Sequence, residues 1–222
     1  PDGKQAILRM PADGTGAPQV FTAGMRNPTG LAVSGASLFA VEPNAVVTID
    51  LATGQVQARE AVPNVGRLND IAVAPDGRIF VSDFQRGAIH RRTASGWEVW
   101  LEGPEVSRPN GVCVADGRLV WGNNGDGSLK SADLTTGATS TIVALPGGII
   151  DGVAPGPDGT LLVSHNEGRL FRVDRTGTVT VLLDLTVVGT NIADFTYRPD
   201  TSEVIFPTFL DNRVMAVRLT AR

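Results

Sequence analysis

The chain has a single cysteine, Cys113, among 222 residues, so no internal disulfide staples it and its stability must come from burial. Its two histidines, His90 and His165, stand without partners at metal-ligand spacing, and with one thiol available no zinc site is written in the sequence. Positive charge is scarce: the net charge is -4 and the pI near 5.2, and no basic stripe exists to meet phosphates, which argues against a nucleic-acid partner. No apolar run reaches the length of a membrane span. Apolar residues never recur at helical spacing over ten positions, so no substantial helix is expected. No Ser–His–Asp arrangement is visible, which disfavours covalent catalysis. The chain begins at Pro1-Asp2-Gly3 without methionine, the start expected of a processed or truncated chain. The sequence assigns neither a compartment, cytoplasmic or exported, nor an oligomeric state.

What is present is a repeat. Gly30-Leu31-Ala32-Val33, Asp70-Ile71-Ala72-Val73, Gly111-Val112-Cys113-Val114 and Gly152-Val153-Ala154 are copies of one pattern, with a weaker fifth at Asp194-Phe195-Thr196-Tyr197. The residues just before them, Thr29, Asn69, Asn110, Asp151 and Ala193, are spaced by 40, 41, 41 and 42. A period near 40 with several short strands per repeat is the signature of propeller blades. Hydrophobic residues at 42% and charged residues at 19% suit a packed all-β domain. In the unit from Asp70 the expected strands are 70–74, 78–82, 88–92 and 98–101, with turns at Pro75-Asp76-Gly77, Gln85-Arg86-Gly87 and Ala94-Ser95-Gly96.

The expected fold is therefore a single all-β domain over residues 1–222, a six-bladed β-propeller with an incomplete first blade. Its boundaries are 1–27 for the partial blade, 28–68, 69–109, 110–150 and 151–192 for full blades, and 193–222 for the last. A five-bladed closure, in which a strand around Gln19–Thr22 completes the last blade, is the alternative. Trp97, Trp100 and Trp121 fall in strand patterns and read as core.

A propeller brings equivalent positions of its blades around one axis. Asn69, Asn110 and Asp151 are all oxygen donors, and three such side chains at one register suit a hard divalent cation, calcium above others. Asn and Asp also form turns before strands. The break of the pattern at Thr29 and Ala193 favours a localised site. Around it should lie the loops between second and third strands, carrying Asp83, Asn123, Asn124, Asp126 and His165. Of these, Asn123-Asn124-Gly125-Asp126-Gly127 reads as a hairpin, and His165 as a bystander although imidazole titrates near neutrality.

Arg67-Leu68-Asn69-Asp70, Arg108-Pro109-Asn110-Gly111 and Ile150-Asp151-Gly152 resemble the senescence-marker-protein/gluconolactonase family of six-bladed propellers. The resemblance implies that Asn69, Asn110 and Asp151 hold a divalent metal, usually calcium or zinc. It implies that Asp151 supplies the catalytic carboxylate and that Arg67 contacts substrate. The family's first-blade glutamate has no counterpart here, since Glu42 follows a second strand instead of preceding a first. The implied activity is metal-dependent hydrolysis of a small lactone or related cyclic ester at the channel mouth. Two other readings remain: a non-enzymatic propeller binding a peptide, glycan or protein on its loop face, and a cyclic-ester lyase.

Overall fold

The structure, a computed structural model, describes residues 5–219. It is all-β apart from two single 3-10 turns, Pro157–Gly159 and Thr186–Val188. Among the described residues twenty-one strands form six antiparallel sheets. The first is a two-stranded ribbon, β1 (Ala6–Arg9) and β2 (Gln19–Ala23). Four sheets of four strands follow. They are β3 (Leu31–Ser34), β4 (Ser37–Glu42), β5 (Ala45–Asp50) and β6 (Val56–Ala61); β7 (Leu68–Val73), β8 (Ile79–Asp83), β9 (Ala88–Thr93) and β10 (Gly96–Glu102); β11 (Pro109–Ala115), β12 (Arg118–Asn123), β13 (Ser128–Asp133) and β14 (Thr139–Ala144); and β15 (Ile150–Pro155), β16 (Leu161–His165), β17 (Arg169–Val173) and β18 (Val179–Asp184). The last sheet has three strands, β19 (Thr196–Arg198), β20 (Glu203–Pro207) and β21 (Val214–Arg218).

Each sheet is a simple meander in sequence order, as short turns between consecutive strands dictate. The first strands, β3, β7, β11, β15 and β19, lie side by side along the chain order, which makes them the inner strands of a propeller. Five sheets thus carry an inner strand, giving five blades plus the ribbon. This is the blade count of the alternative reading, with one difference: the segment around Gln19–Thr22 pairs with β1 and not with the last blade.

The core is divided among seams. One apolar cluster joins ribbon and first blade through Ile7, Met25, Leu38 and Ile49. Others join the succeeding blades, through Val46, Leu68 and Val81, then Phe80, Ile89 and Trp121, then Leu129, Ile150 and Phe171, then Leu162, Leu170 and Phe206. Each large side chain fully buried this way stabilises by roughly 1.5–3 kcal/mol. Trp121 is fully buried, and Trp97 and Trp100 pack against two of the clusters. The remaining seam, between ribbon and last blade, holds no such cluster among the described residues; Arg198 Nη1 donates across it to Ala12 O at 3.3 Å. Because the ribbon supplies no inner strand beside β3, Leu31 is 47% and Val33 60% exposed, whereas Ile71 and Val112 are 3% and 4% exposed.

Candidate functional site at the channel mouth

Three inner strands share an irregularity. The β7–β8 ladder slips between Leu68 and Ile71, β11–β12 between Pro109 and Val112, and β15–β16 between Ile150 and Val153. A bulge releases its residues from strict alternation and re-aims their side chains. The bulged pairs are Asn69-Asp70, Asn110-Gly111 and Asp151-Gly152. The paired stretches of β3 with β4 and of β19 with β20 begin just beyond the corresponding positions, at Leu31 and Thr196, but the surplus recurs there: Thr29 N donates to Val41 O and Val41 N to Gly30 O, and Ala193 N donates to Pro207 O. What differs in these two repeats is the side chain carried, Thr29 and Ala193 in place of an amide or a carboxylate.

Of the expected ligand set, Asn110 and Asp151 are brought together. Asn110 is 5% exposed, and its Nδ2 donates to Ile150 O at 3.0 Å. Burial raises the Asp151 pKa and a hydrogen bond from the Asn110 side chain lowers it, leaving it at about 6. Asn110 Oδ1 is buried with no partner. An unpartnered buried acceptor is costly unless something not part of the chain meets it, and a hard cation would do so. Asn69 stands half-buried at the same register on adjoining β7. Its backbone O accepts from Gly30 N at 2.9 Å. No three His, Cys, Asp or Glu among the described residues are placed to share an ion, so any cation here would depend on amide oxygens and one carboxylate. Arg67 is exposed just before β7, its backbone N donating to Asp83 Oδ1 at 2.8 Å.

One position further along lie two acids, Asp70, which is buried, and Asp194, which is half-buried, that the repeat pattern did not mark as functional. Asp70 Oδ2 accepts from Val112 N on the next blade at 2.7 Å, and its Oδ1 lies against Gly30 where any Cβ would stand. Asp194 Oδ1 lies 2.5 Å from where a Cβ on Gly152 would be. Glycine at these two positions is thus a condition for the carboxylates' placement. Burial first, then the amides of Val112 and Ile71 acting against it and the charge of Asp151 acting with it, bring the Asp70 pKa up to about 7. Burial, with Asp70 and Asp151 nearby, holds Asp194 well above the ordinary range. The buried Cys113 thiol is pushed up by burial and by both acids.

The loop residues expected around the mouth are mostly not pocket lining. Glu42, Asp83, Asn123 and His165 each end a second strand, and all are buried. Three of them hold the loop that leads into their blade. Glu42 Oε1 accepts from Arg26 N at 2.8 Å, and Asp83 from Gly66 N at 2.9 Å and Arg67 N at 2.8 Å. Asn123 Oδ1 accepts from Arg108 N at 3.1 Å. Burial works to raise the Asp83 pKa, but His90 and the amides of Arg67, Arg86 and Gly66 outweigh it and bring it to about 2. His165 departs from the scheme: both ring nitrogens lack partners, the ring packs edge-on to Phe171, and burial and then Arg169 lower its pKa to about 4. Asn123 to Gly127 form the expected tight turn, Gly127 N donating to Asn123 O at 3.1 Å.

A family profile described as outer membrane protein assembly factor BamB matches residues 13–143, more than half of the chain. That match does not single out the senescence-marker-protein/gluconolactonase family. No curated protein matches the chain. Among solved structures, a gluconolactonase from Xanthomonas campestris superposes with a TM-score of 0.77 at 19% identity, covering 92% of this chain and 76% of that one. Virginiamycin B lyase from Staphylococcus aureus, as a catalytically inactive H270A variant with quinupristin, gives 0.75 at 16%, covering 99% and 75%. A chain of a nidogen/laminin complex gives 0.82 at 16%, covering 97% and 87%. At these identities the likeness is one of fold.

Proposed function

The chain belongs to the propeller family described as outer membrane protein assembly factor BamB, and within that family we propose that it is a metal-dependent hydrolase of a small lactone or related cyclic ester. The observation that carries the reading is the Asn110–Asp151 pair on bulged inner strands, with Asn110 Oδ1 buried and unpartnered. The fold likeness to a gluconolactonase supports it. Asn69, Asn110 and Asp151 would hold the divalent cation, calcium favoured. When bound, such a cation supplies Lewis-acid polarisation of a carbonyl.

The chain's own groups do the rest. Asp151, the one carboxylate of the set, is the group placed to act as general base and acid at the reacting ester. It takes a proton from water as the water oxygen adds to the lactone carbonyl carbon. The ring C–O bond then breaks, and the carboxyl returns the proton to the leaving oxygen, giving the open hydroxy acid. Asn110, its amide held by Ile150 O at 3.0 Å, stands beside Asp151 with its Oδ1 left for the ion. Arg67, anchored through its backbone to Asp83, holds substrate oxygens.

Calorimetric titration with calcium, followed by turnover of aldonolactones and aliphatic lactones with and without chelator, tests this. Wild type should bind the ion and turn over a lactone only without chelator. Asp151→Ala should abolish ion binding more completely than Asn110→Ala, since only Asp151 brings a full charge. Turnover that ignores chelator would remove the metal mechanism. A second reading, a propeller that binds a macromolecule without chemistry, is favoured by the family's description as an assembly factor and by the nidogen/laminin likeness; absence of both ion binding and turnover would select it. A lyase with His165 as its proton-transfer group is less well supported, because that ring is buried and held uncharged to about pH 4.

A further inference from the structure

Arginines on the mouth face fall into two groups. Arg86 pairs with Glu102 at 2.8 Å, Arg169 with Asp184 at 3.1 Å, and Arg213 with Asp211. Arg26, Arg67 and Arg108 form no ion pair and no side-chain hydrogen bond among the described residues, and all three are exposed. They stand on the loops leading into β3, β7 and β11, three consecutive inner strands. Their backbones are fixed, since each main-chain N–H is held by the polar residue ending the second strand of its own blade: Glu42, Asp83 and Asn123. Arg108 is further ordered by stacking over the Phe84 ring of the preceding blade, 4.3 Å from its centroid. Other unpaired arginines are differently placed. Arg9 stacks on Phe21, Arg118 donates to Ser131 and Ser140, and Arg172 and Arg175 lie at the far end of β17 and in its following turn, toward the opposite face.

We infer that these three arginines form an anion-recognition rim, and that the small molecule taken at the mouth carries a carboxylate or phosphate in addition to its reacting ester. A guanidinium presents a planar fork of donors that matches either oxyanion. Three of them on an acidic chain, anchored by backbone and free at the tip, are poised for a partner from solution. With the guanidinium groups on the loops and not on the inner strands, the charged end of such an anion is held at the rim and its neutral ester directed inward. This assignment of substrate class rests on the lactonase reading for the ester, but not for the anion.

The test is calorimetric titration with inorganic phosphate and with malonate, at low ionic strength and in chelator, so that the readout is independent of any metal. We expect one of the two to bind. Affinity should fall by about tenfold in Arg67→Gln and in Arg108→Gln and be lost in the triple Arg26→Gln/Arg67→Gln/Arg108→Gln variant. Arg175→Gln should bind as wild type does. Lys at the three positions, keeping charge without the fork, should give intermediate loss and covers the case in which the triple Gln variant fails to fold. Binding of neither anion to wild type, or equal binding to the triple Gln and Lys variants, overturns the inference. Anion binding that survives while lactone turnover proves insensitive to chelator would sink the metal mechanism and leave the rim standing.

Discussion

Asp70 and Asp83 sit in one blade, thirteen residues apart, both buried, yet one is held near pKa 7 and the other near 2. Burial pushes both upward. The difference is in the donors. Asp83 gathers three backbone amides, those of Gly66, Arg67 and Arg86, and His90 Nε2 at 3.2 Å. Asp70 receives the amides of Val112 and Ile71 and faces the like charge of Asp151. Asp83 is thus a brace, with its charge fully used by the fold. Asp70 carries a charge for which the chain provides too few donors, as Asn110 Oδ1 is an acceptor with none. At the second-strand ends the two carboxylates, Glu42 and Asp83, are fully met, whereas Asn123 Nδ2 and both His165 nitrogens are not.

The sharpest way to break the comparison is to remove the brace. Asp83→Ala leaves its amide donors and His90 unmatched inside the protein, and should cost about 3–5 kcal/mol in chemical denaturation. A loss under about 1 kcal/mol would show that Asp83 braces nothing. Asp70→Asn should move stability the other way. In chelator, at about pH 8, we expect a gain of about 1–3 kcal/mol that vanishes by about pH 4. The signs follow from the shifts. Asp70, raised from 3.8 to about 7, contributes stability that is full below its unfolded value and is lost as pH rises through 7. Asp83, lowered from 3.8 to about 2, contributes stability present above its unfolded value and lost as pH falls through 2. Denaturation of wild type and Asp70→Asn across that range should therefore diverge on the alkaline side; parallel curves would contradict the assignment. The smallest effect is expected at His165, which stands where Asn123 stands one blade earlier but holds no loop amide. His165→Asn should raise thermal stability by about 1 kcal/mol, and a loss would mean that the edge-on contact with Phe171 outweighs the unpaired nitrogens.

The blade period was legible because turn residues and β-branched runs recur every 40 to 42 residues, and β8, β9 and β10 begin and end within two residues of the expected strands. The Asn69, Asn110 and Asp151 register was legible for the same reason. The acid pair was not. Asp70 and Asp194 occupy a position that is glycine in the other three repeats, and what their carboxylates pack against is a neighbouring blade's Gly30 or Gly152, a cross-blade relation that no local pattern reports. Glu42, Asp83 and Asn123 read as loop polarity because their backbone partners lie some fifteen residues upstream. The bulges were equally hidden, since one surplus residue inside an apolar run leaves no mark in composition.

That surplus residue has an evolutionary consequence. Beyond each bulge the pairing of β7, β11 and β15 with their neighbours resumes its regular alternation, so the apolar faces that seal the seams are indifferent to what the bulge carries. A blade can therefore acquire or discard a channel-facing polar group by exchange of the one side chain that the bulge carries, without redesign of its packing. The blades with Thr29 and Ala193 in that place, where the same two-against-one backbone pairing recurs, are what the scaffold looks like when the position carries no amide or carboxylate. A lineage of such repeats could move between scaffold and catalyst in steps of one residue, with its seams left untouched.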